Sequence, residues 1–231
     1  MKNVLVVGSG AREVAIARRI SQSSIKNSLF CISKDINPQI VDLCKDYFVT
    51  DLANISDIVS YSRKTKVDLA IIGPENPLAN GVVNELENVG VRCVGPKKEV
   101  ALIETSKSFA RKIIDLCCAE KNPQRKEFRS IDGVESFIKQ LGGEYVIKFD
   151  GLMGGKGVRV SGEHLKNIDE GVAYANEIVN VGEKFLIEEK LVGEEFSLMS
   201  FVDGEVCKHM PVVQDHKRAY EGDSGPNTGG M

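Results

Sequence analysis

The sequence predicts an α/β protein with a parallel sheet in its first part and a second α/β region after it. Over residues 1–95, short apolar strand patterns alternate with helix patterns, which is the order of βαβ units. Residues 128–190 combine strand and helix patterns around a glycine-rich segment. Hydrophobic residues make up 42% and charged residues 27% of the 231 residues, which is typical of a globular chain with a sizeable core.

The first region is expected to contain a series of strands and helices, followed by a connector. The strands are expected at Asn3–Val7, Leu29–Ser33, Tyr47–Thr50, Leu69–Ile72 and Arg92–Val94, and the helices at Arg12–Ser21, Ser56–Lys64 and Leu78–Asn88. Ligands of such sheets bind beyond the carboxyl ends of the strands. A helical connector is expected over residues 104–121, and the polar residues 122–127 interrupt the pattern and mark a boundary.

The second region is expected to hold two helices with apolar stripes and several strands. The stripes are Val134, Phe137, Ile138 and Leu141 in one helix, and Ile168, Val172, Ala175 and Val179 in the other. The strands are expected at residues 144–148, 158–160 and 185–189. A strand over Phe196–Val202, a turn at Asp203-Gly204 and a strand to Val213 follow.

The segment from Lys148 to Val158 predicts a glycine-rich loop between two strands. Its glycines at 151, 154, 155 and 157 would let the backbone approach a ligand closely and point N–H groups at it. Lys148 and Lys156 flank the glycines with point charges that suit phosphate. This pattern favours a nucleoside triphosphate over an ordinary hairpin turn, which needs fewer glycines and no lysine pair.

Two βα turns and one strand end add candidate binding groups. Gly8-Ser9-Gly10 begins like a dinucleotide fingerprint, but Glu13 stands in place of the third glycine, so a small sugar phosphate is favoured and a turn that serves only packing stays open. Glu75 and Asn76 follow a strand and either hold hydroxyls or an amine, or form a rigid solvated turn. Residues 188–195 end a strand and either read adenine and ribose, or form a charged surface turn.

Composition argues against nucleic acid and membrane partners. The formal net charge is -3, aromatic residues make up 6% and Trp is absent, so no basic field or base-stacking surface is expected. No apolar run reaches membrane-spanning length and no export signal is recognised, so a cytoplasmic location is expected. No Cys-x-x-Cys pair suggests zinc, and Cys31 and Cys93 are expected in the core.

The motifs that carry a resemblance are Val7–Gly10 with Arg12-Glu13, Gly73–Leu78, Gly95-Pro96, Glu104–Lys107, Lys148 with Asp150–Val158, Glu188-Glu189 with Gly193–Glu195, and Gln214–Met231. Taken together, they resemble the phosphoribosylamine–glycine ligase family, ATP-grasp enzymes of purine synthesis. The resemblance implies that ATP phosphorylates glycine and that the amine of 5-phosphoribosylamine attacks the glycyl phosphate. ATP and Mg²⁺ (or Mn²⁺) are the implied cofactors, and glycine and 5-phosphoribosylamine the implied partners.

The resemblance also implies roles for individual residues. ATP would be bound by Lys107, Lys148, Gly151, Gly154, Gly155, Lys156, Gly157, Glu188, Glu189, Leu191 and Glu195. Phosphoribosylamine and glycine would be bound by Gly10, Glu13, Glu75, Pro77, Asp215, Lys217, Asn227, Gly229 and Gly230. Lys148, Lys156, Asp215 and Lys217 would take part in catalysis, chiefly by positioning and charge neutralisation. Val14 stands where the family has a histidine.

The implied architecture is a Rossmann-like domain over residues 1–103, a connector over 104–127, an ATP-grasp lid over 128–190 and the start of the ATP-grasp core over 191–231. Family members are longer, so the metal ligands are expected beyond Met231 and the chain alone is expected to be an inactive fragment. The alternatives are another ATP-grasp carboxylate–amine ligase and a non-catalytic nucleotide- or sugar-phosphate-binding module. A nicotinamide dehydrogenase is disfavoured by Glu13 and the lysine-flanked loop.

Overall fold

A computed structural model of the chain describes residues 1–151, 157–214, 216, 218–222 and 224–227. The chain divides into two compact units. The first unit contains Met1–Asn122 and a short return segment that begins at Asp150. The second contains Pro123–Phe149 and the residues that follow the return segment. Each unit has a hydrophobic core of its own, and each is an α/β structure, so the predicted fold class is confirmed.

A five-stranded parallel sheet forms the centre of the first unit. Its strands are β1 Lys2–Val7, β2 Asn27–Ser33, β3 Asp46–Val49, β4 Leu69–Ile72 and β5 Arg92–Val94. They follow the order β3-β2-β1-β4-β5, and every neighbouring pair is parallel. The chain order reverses between β1 and β4, so the crevice beyond their carboxyl ends is the place where such sheets bind ligands.

Both faces of this sheet are buried, because the side chains of each inner strand alternate between two cores. Leu5 and Val7 of β1 lie in one cluster with Ile58 and Leu86, and Val6 lies in another. The helices that cover the faces are α1 Ala11–Ser21, α2 Pro38–Val41, α3 Ile55–Lys64, α4 Glu75–Ala79 and α5 Val82–Asn88. Burial on both faces explains why β1 and β2 are continuous apolar runs rather than alternating ones.

The prediction of one helix over Leu78–Asn88 was wrong. Gly81 has a φ of 87°, in the left-handed region, and it separates α4 from α5. A right-handed helix cannot continue through such a residue, and glycine adopts it without steric cost. The connector is likewise two helices, α6 Lys98–Thr105 and α7 Lys107–Cys118, divided at the extended Ser106 and followed by a short 3₁₀ turn over Ala119–Lys121.

The second unit contains a four-stranded antiparallel sheet. Its strands are β6 Arg125–Phe128, β7 Tyr145–Phe149, β8 Val158–Val160 and β9 Phe185–Glu189, in the order β6-β9-β7-β8, with helices α8 Val134–Gln140 and α9 Ile168–Asn180. The prediction that residues 122–127 only interrupt the pattern missed β6, which begins at Arg125. This strand lies at the edge of the sheet, where polar side chains are tolerated. Its one buried residue, Phe128, stacks on Phe185 with ring centroids 5.6 Å apart.

The last described segment forms two small hairpins, β10 Ser200–Val202 with β11 Cys207–His209, and β12 Arg218–Tyr220 with β13 Ser224–Asn227. All residues from 191 to 214 are exposed, including the apolar Phe201, Val202 and Phe196. An isolated two-stranded hairpin has too little burial to be stable alone. The apolar surface of β10 and β11 therefore lacks a cover among the described residues.

We expect the cysteines to differ sharply in reactivity with iodoacetamide at pH 8. Burial raises the pKa of the Cys93 thiol to about 12. The pKa of the Cys31 thiol is raised chiefly by a hydrogen bond with Cys44 and, second, by burial. Since the thiolate is the nucleophile, both should stay unmodified in the folded chain, whereas the exposed Cys117 and Cys207 are labelled. Peptide mass spectrometry reads the result, with urea-unfolded protein as the control. Labelling of Cys31 at the rate of Cys117 in folded protein would contradict the burial described above.

Candidate functional site

The turns after β1 and β4 meet at the crevice of the first unit. Gly8 follows β1 and has a φ of 115°, and Gly10 is the N-cap of α1. Gly73 follows β4, and its N–H donates to the carbonyl of Val7 at 3.0 Å. The two turns are therefore tied together by the backbone, at the reversal of strand order.

Glu13 packs beneath both turns and is only 4% exposed. Its Oε2 accepts the backbone N–H of Gly10. A Cβ placed on Gly73 would overlap Glu13 Oε1, so glycine is required there for the close approach. Oε1 itself is buried without a hydrogen-bond partner among the described residues. The carboxylate thus stands at the third glycine position of a dinucleotide fingerprint, which that motif uses for close packing of the helix on the strand.

The rim of the crevice is charged and more open. Arg12 and Glu75 form an ion pair of 3.2 Å, with side chains 50% and 42% exposed. Pro77 is buried in the short helix α4. The crevice therefore brings together three of the residues predicted to bind substrate, namely Gly10, Glu13 and Glu75, and Pro77 follows Glu75 in the same short helix.

A second group of polar contacts surrounds the start of α7, also within the first unit. Lys107 is the first residue of α7, and its Nζ donates to the carbonyl of Gly151 at 2.9 Å. The buried carboxylate of Asp150 accepts hydrogen bonds from the side chain and backbone N–H of Ser108. The beginning of the glycine-rich loop is thus held against the first turn of this helix.

The second unit holds a short ion pair on the strand that precedes the loop. Lys148 lies on β7, and its Nζ is 2.6 Å from Oε2 of Glu188 on β9. Glu188 is 1% exposed, whereas the Lys148 side chain keeps 25% of its surface exposed. Phe149 N–H donates to the carbonyl of Gly157 at 2.8 Å, so the loop joins two adjacent antiparallel strands, as expected. The Lys148 ammonium is therefore fixed by Glu188 but still accessible to solvent, which suits the binding of an anionic ligand.

The remaining predicted residues are less informative. Glu189 ends β9, while Leu191 and Glu195 are exposed on the segment after it, and the backbone of Asn227 pairs with Arg218 in the last hairpin. Predictions that lie outside the described residues concern Gly154, Gly155, Lys156, Asp215, Lys217, Gly229 and Gly230. Among the described residues, no group of three His, Cys, Asp or Glu side chains could hold a metal ion.

The sequence analysis assigned no role to three residues that lie near these sites. Asp150 and Ser108 form the contact at α7, and Gly73 makes room for Glu13. A serine at the start of a helix is a capping signal, and Gly-Pro after a strand is a turn signal. Their partners are 42 and 60 residues away in the chain, a pairing that local patterns do not reveal.

The chain matches two family models that follow one another. The model described as "Phosphoribosylglycinamide synthetase, N domain" matches residues 2–104. The model described as "Phosphoribosylglycinamide synthetase, ATP-grasp (A) domain" matches residues 105–231. The phosphoribosylamine–glycine ligase of Methanococcoides burtonii is 42% identical over 229 residues, which cover 99% of this chain and 52% of the relative. The chain thus spans about half the length of the curated relatives that it matches.

Solved structures show the same likeness. The crystal structure of phosphoribosylamine–glycine ligase from Thermotoga maritima aligns with a TM-score of 0.75 and 26% identity, over 99% of this chain and 54% of that one. N5-carboxyaminoimidazole synthetase from Staphylococcus aureus, solved in complex with ADP, aligns with a TM-score of 0.71 over 94% of this chain and 55% of that one. At 14% identity, the second likeness concerns the fold alone.

Gly73→Ala should destabilise the first unit, because the new methyl group would collide with the Glu13 carboxylate. We expect a loss of about 1–3 kcal/mol in the free energy of unfolding, the usual cost of overpacking. Gly193→Ala is the matched control, since an added Cβ there meets no atom within 4 Å. Urea denaturation followed by circular dichroism measures both. Equal midpoints for the two variants would contradict the close approach.

Lys148→Met should cost about 3 kcal/mol of unfolding free energy, since it removes one partner of a buried carboxylate. Lys139→Met is the control, because its i,i+4 pair with Glu135 is exposed on both sides and such surface pairs contribute little to stability. Chemical denaturation of both variants gives the comparison. A Lys148 variant as stable as the Lys139 variant would show that Glu188 does not depend on this ammonium.

Proposed function

Because the chain belongs to the phosphoribosylglycinamide synthetase family, we propose that it is the part of a phosphoribosylamine–glycine ligase that binds nucleotide and substrate. The observation that carries the proposal is the lysine-flanked glycine loop between β7 and β8, with Lys148 held beside it by Glu188. The match to an ATP-grasp domain model supports a nucleotide as its ligand.

The proposed reaction has two steps. A carboxylate oxygen of glycine attacks the terminal phosphorus of ATP, so that glycyl phosphate forms and ADP leaves. The amine of 5-phosphoribosylamine then attacks the acyl carbon, phosphate leaves with the bonding electrons, and the amine loses a proton. The products are glycinamide ribonucleotide, ADP and phosphate. Neither step needs a protein nucleophile, so the chain contributes positioning and charge neutralisation.

On the nucleotide side, Lys107 of the first unit and Lys148 of the second unit neutralise phosphate charge. The loop over residues 151–157, including Gly154, Gly155 and Lys156, supplies backbone N–H groups. The segment Glu188–Leu191 lies against adenine, and Glu195 binds the ribose. Because the Glu188 carboxylate is bonded to Lys148, backbone groups of the segment are left to read the base.

The substrate side of the proposal includes Asp215, Lys217, Asn227, Gly229 and Gly230 of the second unit, on the family resemblance alone. In the first unit it uses the crevice at Gly10, Glu75 and Pro77. Within this crevice, Glu13 acts by holding the Gly10 turn in shape, since its oxygens are buried. The described residues offer no cluster that fits Mg²⁺ or Mn²⁺, and no step is assigned to a metal ion here. No helix in the described ranges is long and apolar enough to span a bilayer.

Titration calorimetry with ATP tests the nucleotide site on the 231-residue chain. We expect Lys148→Ala to weaken binding about 10- to 100-fold, the worth of a hydrogen bond to a charged group. Lys139→Ala, which removes an exposed lysine of α8, should leave the affinity unchanged. Equal affinities in the two variants would refute the phosphate role of Lys148.

The ligase activity is tested on a longer protein of the family that carries this sequence as its first part. ADP release should require glycine and 5-phosphoribosylamine together, and the product should have the mass of glycinamide ribonucleotide. The 231-residue chain alone should release no ADP. Release that needs a different carboxylate would favour another ATP-grasp ligase, and ATP binding without any release in the longer protein would favour a binding module.

A further inference from the structure

The carboxylate of Asp150 is buried at the first turn of α7, although the residue opens the glycine loop 42 positions later in the chain. Asp150 is 8% exposed and Ser108 is 5% exposed. Oδ1 accepts the backbone N–H of Ser108 at 3.2 Å, and Oδ2 accepts the Ser108 hydroxyl at 2.5 Å. The Ser106 hydroxyl lies 3.4 Å from both oxygens. These donors offset the cost of removing the charge from water.

The first turn of α7 needs this carboxylate, because the leading N–H groups of a helix have no partner within the helix. Ser106 is the N-cap, and its hydroxyl accepts the N–H of Phe109 at 3.2 Å. Asp150 accepts the N–H of Ser108, which the N-cap leaves unused. A negative charge at a helix N-terminus is also favourable for the helix dipole. The helix start and the loop start are therefore parts of one capping arrangement.

The adjacent residues add a second bond beside the first. Lys107 precedes Ser108, Gly151 follows Asp150, and the Lys107 ammonium donates to the Gly151 carbonyl at 2.9 Å. Two consecutive residues of the helix are thus bonded to two consecutive residues at the loop start. A flexible lysine held in this way has lost most of its side-chain freedom before any ligand arrives.

We propose that Asp150 is a positioning residue for ATP: by holding the loop start against the first turn of α7, it presets Lys107 and Gly151 for the phosphates without touching the nucleotide. This inference rests on the proposed ATP binding. Asp150 thereby raises the affinity for ATP through preorganisation of the site, and not through charge attraction, because its own charge is negative.

Asp150→Asn and Ser108→Ala test the role with little change in size. The amide introduced by Asp150→Asn turns one acceptor into a donor that faces other donors, and Ser108→Ala removes one hydroxyl. We expect ATP affinity to fall about 10- to 100-fold in the first variant and about 2- to 10-fold in the second, the range for charged and neutral hydrogen bonds. Adenosine affinity should not change, because the contact concerns only the phosphate end.

Matched controls come from the first turns of other helices. Asp169→Asn alters an exposed carboxylate of α9, and Ser136→Ala removes an exposed hydroxyl of α8. Both should keep the ATP affinity of the unaltered chain. Amide hydrogen exchange without nucleotide provides an independent reading: exchange at Ser108 should quicken in Asp150→Asn and stay unchanged in the controls.

A double-mutant cycle shows whether Asp150 acts through Lys107. Asp150→Asn should cost far less ATP affinity in the Lys107→Ala background than alone, since coupled residues are not additive. Full additivity, an unchanged affinity in Asp150→Asn, or an equal loss for adenosine would overturn the positioning role while the unaltered chain still binds ATP. A failure of the unaltered chain to bind ATP would overturn the proposed function itself, and the positioning role with it.

Discussion

The first unit depends on the burial of β1 on both of its faces. Leu5 and Val7 point into one core while Val4 and Val6 point into the other, so helices must cover the sheet on either side. With helices on both sides, the strand order reverses between β1 and β4, and a crevice opens beyond their ends. The place of the candidate substrate site thus follows from the hydrophobic pattern of a single strand.

Buried acids distinguish the candidate sites from the rest of the described chain. Its buried carboxylates are Glu13, Asp150 and Glu188, and each lies beside a predicted ligand-binding segment. Glu13 bonds a turn N–H, Asp150 a helix start and Glu188 a lysine. Burying a carboxylate is costly unless it is hydrogen-bonded. Each buried carboxylate therefore fixes the backbone N–H or lysine group that it bonds. These acids organise the groups that would meet the anionic ligand.

Much of the fold could be predicted because its signals are local. Apolar runs placed β1, β2, β4 and β5 within about two residues, the usual uncertainty of element ends. The break at Gly81 was missed because an apolar stripe continues across it, and β6 was missed because an edge strand has few apolar residues. The sequence also singled out Lys148 and Glu188, but as separate ligands. Their pairing depends on the antiparallel register of β7 and β9, which places Val146 opposite Glu188. Lys148 lies two residues beyond Val146 on the same face of the sheet, so it is the diagonal neighbour of Glu188.

The contact between Gly73 and Glu13 limits how this crevice can change over evolutionary time. Gly73 can acquire a side chain only if residue 13 shortens, since a Cβ there would overlap the carboxylate. A shorter residue 13 would in turn leave the N–H of Gly10 without its acceptor. Single substitutions at either position are therefore unfavourable intermediates. The two positions should vary as a linked pair across a family alignment, a covariation that joins helix α1 to the turn after β4.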